Sequence, residues 1–134
     1  ECENLQKQAK ANIRFLGRLS DEDIADWYSR AKAFVFCGEE DFGITPVEAQ
    51  AAGTPVIAYG RGGILDTVLD GKTGIYFKEA TAQSLCNAVQ KFEQQGISYT
   101  AEQIKQHAEQ FSLKRFQQEI NQYVMQLAKK HGIK

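Results

Sequence analysis

EEDFGITPVEAQAAGTPVIA, Glu39 to Ala58, runs from three consecutive acids through a helix start and ends in a strand. Thr45 suits a helix N-cap, Pro46 the first helical position and Gly53 the C-terminal cap. "PVIAY" (55–59) then reads as a buried strand. A helix start carries partial positive charge and attracts anions, phosphate above all. Yet Glu39, Glu40 and Asp41 crowd the approach, and Glu48 sits inside the first turn. A site that wants both anions and carboxylates needs a ligand with two kinds of group.

Working outward, the chain alternates short apolar runs with helical patterns. Upstream, "AFVF" (33–36) is a fully apolar run, as expected of a strand inside a parallel sheet. Before it, "SDEDIADWYSRAKA" opens on Ser20, with Asp23 three residues on as in a capping box. Ile24, Trp27, Tyr28 and Ala31 follow at one helical face. "NIRFLG" (12–17) reads as a strand ending in a turn. Downstream, "GILDTVLDG" reads as a short helix and "GIYF" (74–77) as another strand. From Thr81 the period is helical: Leu85, Ala88, Val89 and Phe92 make one stripe. Phe116, Ile120, Tyr123, Val124 and Leu127 make a second, after Ser112 as cap. This predicts an α/β protein: a Rossmann-like parallel sheet with helices on both faces and a helical C-terminal third serving as cover. Ligands of such sheets sit at the carboxyl ends of the strands. The loops "GRLS", "CGEEDFGI" and "GRGG" are expected to converge there.

Bulk properties narrow the function. The 134 residues suffice for one domain, with 43% hydrophobic and 25% charged residues. A net charge of −1, with no basic face, argues against nucleic acid. No apolar run reaches the ~20 residues of a membrane span. Cys2, Cys37 and Cys86 are widely spaced and read as reduced thiols of a cytoplasmic protein, with Cys37 a small apolar filler at a strand end. His107 and His131 share no metal-site spacing with cysteines or carboxylates, so no metal is expected.

Glu40 and Glu48 enclose "DFGITPV" and are followed by "EAQAAGTPVIA", "GG" at 62–63 and "DGKTG". In these elements, from about Asn12 to Phe116, the chain resembles the C-terminal, donor-binding domain of the retaining glycosyltransferases of family 4 (group 1), which have the GT-B fold. "FSLKRF" is similar to that domain's closing helix, and "GEEDFGITPVEAQ" is especially similar to mannosyltransferases of surface-polysaccharide biosynthesis.

The resemblance implies transfer of a hexose from a nucleoside-diphosphate sugar, of GDP-mannose or UDP-glucose type, to an acceptor hydroxyl with retention. It also answers the opening puzzle. A sugar nucleotide has a diphosphate between a hexose and a ribose. The diphosphate suits bare helix-start amides, and the hydroxyls suit carboxylates, which are pure acceptors when ionised. By resemblance, Glu40 is the catalytic residue, holding the hexose and supporting charge near its anomeric carbon. Phe42, Gly43 and Ile44 present main-chain amides to the sugar, Ile44 and Thr45 donate to the diphosphate, and Glu48 binds the ribose. Arg18 and Leu19 face the nucleobase. Bland readings stand beside these: Glu48 completing a capping box with Thr45, Phe42 a packing anchor, Gly62 and Gly63 turn glycines, and Asp66 structural.

The family needs no bound metal or other cofactor, because fixed donors stabilise the leaving diphosphate. A helix start supplies only about half a charge, and the family adds an Arg and a Lys upstream of the matched region. Its domain has six strands on the doubly wound plan, of which four are matched, leaving two to lie between "RFLG" and "AFVF". Residues 1–134 are therefore expected to be a single, partial sugar-nucleotide-binding domain, inactive alone. The domain that binds a saccharide or lipid-linked acceptor is expected to lie outside these residues, and peripheral membrane contact of the complete enzyme stays open. A GT-B-type sugar-nucleotide epimerase, a non-catalytic nucleotide-sugar-binding module and a flavodoxin-like domain are the alternatives.

Overall fold

A computed structural model describes residues 2–132. In chain order its elements are α1 (Cys2–Gln8), α2 (Asp21–Arg30), β1 (Phe34–Phe36), α3 (Ile44–Ala51), β2 (Val56–Tyr59) and α4 (Ile64–Thr67). β3 (Gly74–Phe77), α5 (Ala82–Gln95), α6 (Ala101–Glu109) and α7 (Leu113–Lys130) follow. The strands lie in the order β1-β2-β3, all parallel, with Phe34 opposite Val56 and Val56 opposite Gly74.

Side chains alternate across a strand, so β2 feeds two cores. Val56 and Ala58 pack with Ala49 of α3 and with Ile64 and Val68 at α4, against Tyr28, Phe34, Phe36 and Tyr76. Ile57 points the other way, with Ile75, Phe77 and Ala88 of α5, against Leu85, Val89 and Phe92. Helices thus cover both faces, as the alternating pattern predicts. Burying each of these isoleucines contributes about 1.5–3 kcal/mol.

The helix signals are largely kept. Ser20, Thr81 and Ser112 each accept the backbone N–H three residues on. Thr100 and Gln103 form a full capping box at α6. α3 ends in a Schellman motif: Gly53 N–H reaches the Gln50 carbonyl and Thr54 N–H the Ala49 carbonyl, both at 2.9 Å. α6 packs along α3, and its Ile104 and Ala108 are both buried.

Four expectations need correction. "NIRFLG" is not a strand: residues 13–17 have no regular structure, and Ile13, Phe15 and Leu16 are exposed. A strand exists through its ladder, and no other described strand pairs there, so the sheet has three strands rather than four. α3 begins at Ile44 with Gly43 as N-cap, so Thr45 and Pro46 lie inside the first turn. α7 forms as predicted yet buries no residue, so it is not cover. Cys37 is exposed at the end of β1 rather than packed.

Candidate functional site

Two loops meet at the carboxyl edge of the sheet. One, 37–43, leaves β1 for α3; the other, 60–63, leaves β2 for α4. The Gly63 N–H donates to the Glu40 carbonyl at 2.7 Å. The approach is so close that a Cβ on Gly62 would lie 2.5 Å from the Glu40 oxygen. One on Gly63 would lie 2.3 Å from the Asp41 oxygen and 2.4 Å from Phe42 Cα. These are backbone atoms that cannot swing aside. Gly62 and Gly63 are therefore a seat for the acidic loop, more than turn residues.

From that seat the chain turns into α3 through Gly43, buried at φ 79° and ψ 72°. That left-handed conformation is open to glycine and strained for most residues. No side chain caps the helix. The first amides of a helix have no intrahelical acceptor, and Pro46 carries no N–H, so Ile44 and Thr45 present two open donors. Both residues are exposed, Ile44 by 64%. Phe42 is 45% exposed, with one edge against Phe111 at 5.8 Å between ring centroids. Phe42 is thus a packing anchor as well as a loop residue.

The two glutamates flank this turn. Glu40 is exposed on the loop, and Glu48 is exposed one turn into α3. Neither enters an ion pair among the described residues. The capping-box reading of Glu48 fails, because Thr45 is not the N-cap. Instead Glu48 lines a groove of about 360 Å3 between α2 and α3, with Asp21, Ile24, Ala25, Tyr28, Ala51 and Ala52. Burial, and then the Glu48 carboxylate, push the Tyr28 hydroxyl above its ordinary value. The groove has an apolar floor and acidic rims, suited to a flat apolar body bearing hydroxyls.

Arg18 and Leu19 are not among the residues lining that groove; they precede α2, Arg18 exposed and Leu19 half-buried. Sequence reasoning did not use Arg61. It lies on the loop that holds Glu40, its guanidinium over the Tyr59 ring at 5.6 Å. It also set aside His107, which bonds the Thr67 carbonyl at 3.0 Å and stacks edge-on with Phe111. The one available signal was "GRGG" at a strand's carboxyl end; nothing local marked His107. Among the described residues no cluster of three or more His, Cys, Asp or Glu is arranged to hold a metal. No described helix is long and apolar enough to cross a membrane.

Comparison with known proteins gives this arrangement a context. The family profile described as "Glycosyl transferases group 1" matches residues 1–111. The chain is 44% identical over 91 residues to the alpha-1,3/1,6-mannosyltransferase ALG2 of Dictyostelium discoideum, covering 66% of this chain and 21% of that protein. It is also 44% identical over 63 residues to the D-inositol 3-phosphate glycosyltransferase of Streptomyces avermitilis, covering 46% of this chain and 14% of that one. Among solved structures, sucrose-phosphate synthase from Thermosynechococcus elongatus superposes with a TM-score of 0.82 at 28% identity, over 94% of this chain and 33% of the synthase. Anabaena HepE in complex with UDP-glucose superposes at 0.78 and 24% identity, over 93% and 36% of the two chains; that likeness is one of fold. The chain spans a third or less of the first three.

Proposed function

The chain belongs to the group 1 glycosyl transferases, and on that premise we propose that it supplies donor binding to a retaining hexosyltransferase. One observation carries the reading: two open amides at the start of α3 stand between two carboxylates that form no ion pair among the described residues. The Ile44 and Thr45 amides take the diphosphate, with the α3 N-terminus behind them. Glu48 takes the ribose hydroxyls at the mouth of the α2–α3 groove. Glu40 takes the hexose and supports charge at its anomeric carbon, while the Phe42–Ile44 backbone packs against the sugar. Arg18 and Leu19, at the entry to α2, contact the base. The donor is a GDP-mannose or UDP-glucose type of molecule; UDP-glucose is the ligand in the HepE complex.

Two open amides and half a helix charge do not balance a leaving diphosphate of charge two or more. Further cations and the acceptor site come from residues outside this chain in this reading, and no metal takes part.

The experiment is a pair of substitutions in the complete enzyme. Glu40→Ala lowers transfer at least about 100-fold, as loss of a transition-state contact does, with nucleoside-diphosphate binding kept. Glu48→Ala weakens that binding about 10-fold or more, the range of a lost charge-assisted hydrogen bond. Equal and mild effects from both changes would reduce the glutamates to structural parts.

A further inference from the structure

We propose that His107 is a positioning residue for the Glu40–Phe42 loop, acting from α6 along two routes that meet at the site. The proposal rests on the donor-site reading above and extends it to residues with no contact to the ligand.

The first route is a relay of hydrogen bonds. His107 Nε2 lies 3.0 Å from the Thr67 carbonyl. A carbonyl only accepts, so Nε2 carries the proton. Nδ1 of the neutral ring then accepts from Gln110 Nε2 at 2.9 Å, and the same amide donates to the His107 carbonyl at 2.9 Å. Both ring nitrogens are satisfied in one tautomer. Thr67, fully buried, passes the constraint on: its hydroxyl donates to the Gly63 carbonyl at 3.1 Å. Gly63 in turn donates its N–H to the Glu40 carbonyl at 2.7 Å. Gln50, also fully buried, braces the middle of the relay by donating to the carbonyls of Thr67 and Pro46 at 3.1 and 3.2 Å.

The second route is aromatic. The His107 ring meets Phe111 at 5.7 Å and 77°, and Phe111 meets Phe42 at 5.8 Å and 75°. Edge-to-face pairs at these separations are attractive and fix ring orientation. One route thus ends on the backbone at Glu40 and the other on the side chain two residues later. Two constraints on a three-residue segment fix both where it lies and how it turns. A helix merely packed against α3 needs neither, and α6 already buries Ile104 and Ala108.

The test compares His107→Ala with His107→Gln, whose amide N–H reaches the position of Nε2, in the complete enzyme. The readouts are amide hydrogen exchange at Gly63 and across Glu40–Ile44, and calorimetric affinities for UDP against UDP-glucose and GDP against GDP-mannose. His107→Ala speeds Gly63 exchange about 10-fold. It cuts the advantage of the sugar nucleotide over its bare diphosphate about 10-fold, since small misplacements at such sites are costly. The diphosphate affinity itself stays within about twofold, and His107→Gln restores most of the loss. Should the alanine variant unfold, Phe111→Leu keeps the apolar volume and loses the ring contacts, with an expected loss of about threefold in the same ratio.

Wild-type exchange in His107→Ala, or a glutamine variant no better than alanine, overturns the proposal. If the complete enzyme with His107 intact binds neither diphosphate, the donor-site reading falls instead, and Gly63 exchange still decides whether His107 holds the loop.

Discussion

The helix that begins at Ile44 and the helix that begins at Leu113 rank one way by local rules and the opposite way by burial. α7 is the better helix by local rules: eighteen residues, a Ser112 cap, an Arg115–Glu119 pair at 2.6 Å and a continuous apolar stripe. α3 has eight residues, no side-chain cap and a proline within its first turn. Yet α3 buries Pro46, Ala49 and Gln50, while α7 buries nothing and leaves Leu113, Phe116, Tyr123 and Val124 largely exposed. Amphipathic periodicity states which face a helix offers. Whether that face is buried depends on a complementary surface, which β1, β2, α4 and α6 supply to α3. Most of a short helix's stability comes from such packing rather than from propensity, which is how α3 stands with its first amides uncapped.

The contrast breaks or holds most sharply on one pair of truncations. Ile57→Ala, in β2 and 2% exposed, costs about 2–5 kcal/mol by urea unfolding of the chain. Phe116→Ala, 62% exposed on α7, stays within about 0.5 kcal/mol although it removes more carbon. Comparable losses at the two positions would mean that the apolar face of α7 is covered in solution.

The same distinction explains what was legible beforehand. β2 and β3 follow from "PVIAY" and "GIYF" because a short apolar run between turn signals has little else to become in an alternating chain. "NIRFLG" carries the same signal and forms no strand, since a single run does not specify its partner. At the site, the placing of Glu40 and Glu48 either side of a helix start follows from spacing alone. The N-cap does not: Thr45 is the better cap by propensity, but the left-handed Gly43, buried against Ile64 and Pro46, starts the helix earlier. The role of Gly62 and Gly63 depends on contacts about twenty residues away in sequence, and that of His107 on contacts forty residues away. No local pattern encodes either.

A second pair of variants asks whether the seat beneath the acidic loop is steric. Gly63 has an ordinary φ of −62°, so alanine is strained there only by its neighbours, the Asp41 and Phe42 backbone. Gly17, in the exposed segment, has φ 67° and open space around it, so alanine there is strained only by conformation. Gly63→Ala is expected to cost about 2–3 kcal/mol, as overpacking does. Gly17→Ala costs about 1 kcal/mol, the left-handed penalty. Thermal unfolding of the two variants ranks them, and the reverse order would show that the two loops are not held in contact.

The smallest effect tests the polar packing at the sheet side of the site. The Tyr76 hydroxyl donates to the Val68 carbonyl, with the Ile64 carbonyl 3.3 Å away, and so ties β3 to α4. Burial, followed by the carboxylates of Asp70 and Asp66, holds its pKa above the ordinary value of 10.0. The folded state therefore keeps this proton more tightly than the unfolded chain does. The resulting stabilisation is complete below about pH 10 and is lost as pH rises through the higher folded value. Tyr28, raised by burial and then by Glu48, adds a loss of the same sign from the groove side. Tyr76→Phe should cost about 1 kcal/mol at neutral pH, the worth of one hydrogen bond, and should flatten the alkaline fall without abolishing it. The measurement is urea unfolding at a series of pH values. An unchanged alkaline slope in the phenylalanine variant would remove Tyr76 from the effect and leave Tyr28, on the groove side, as its source.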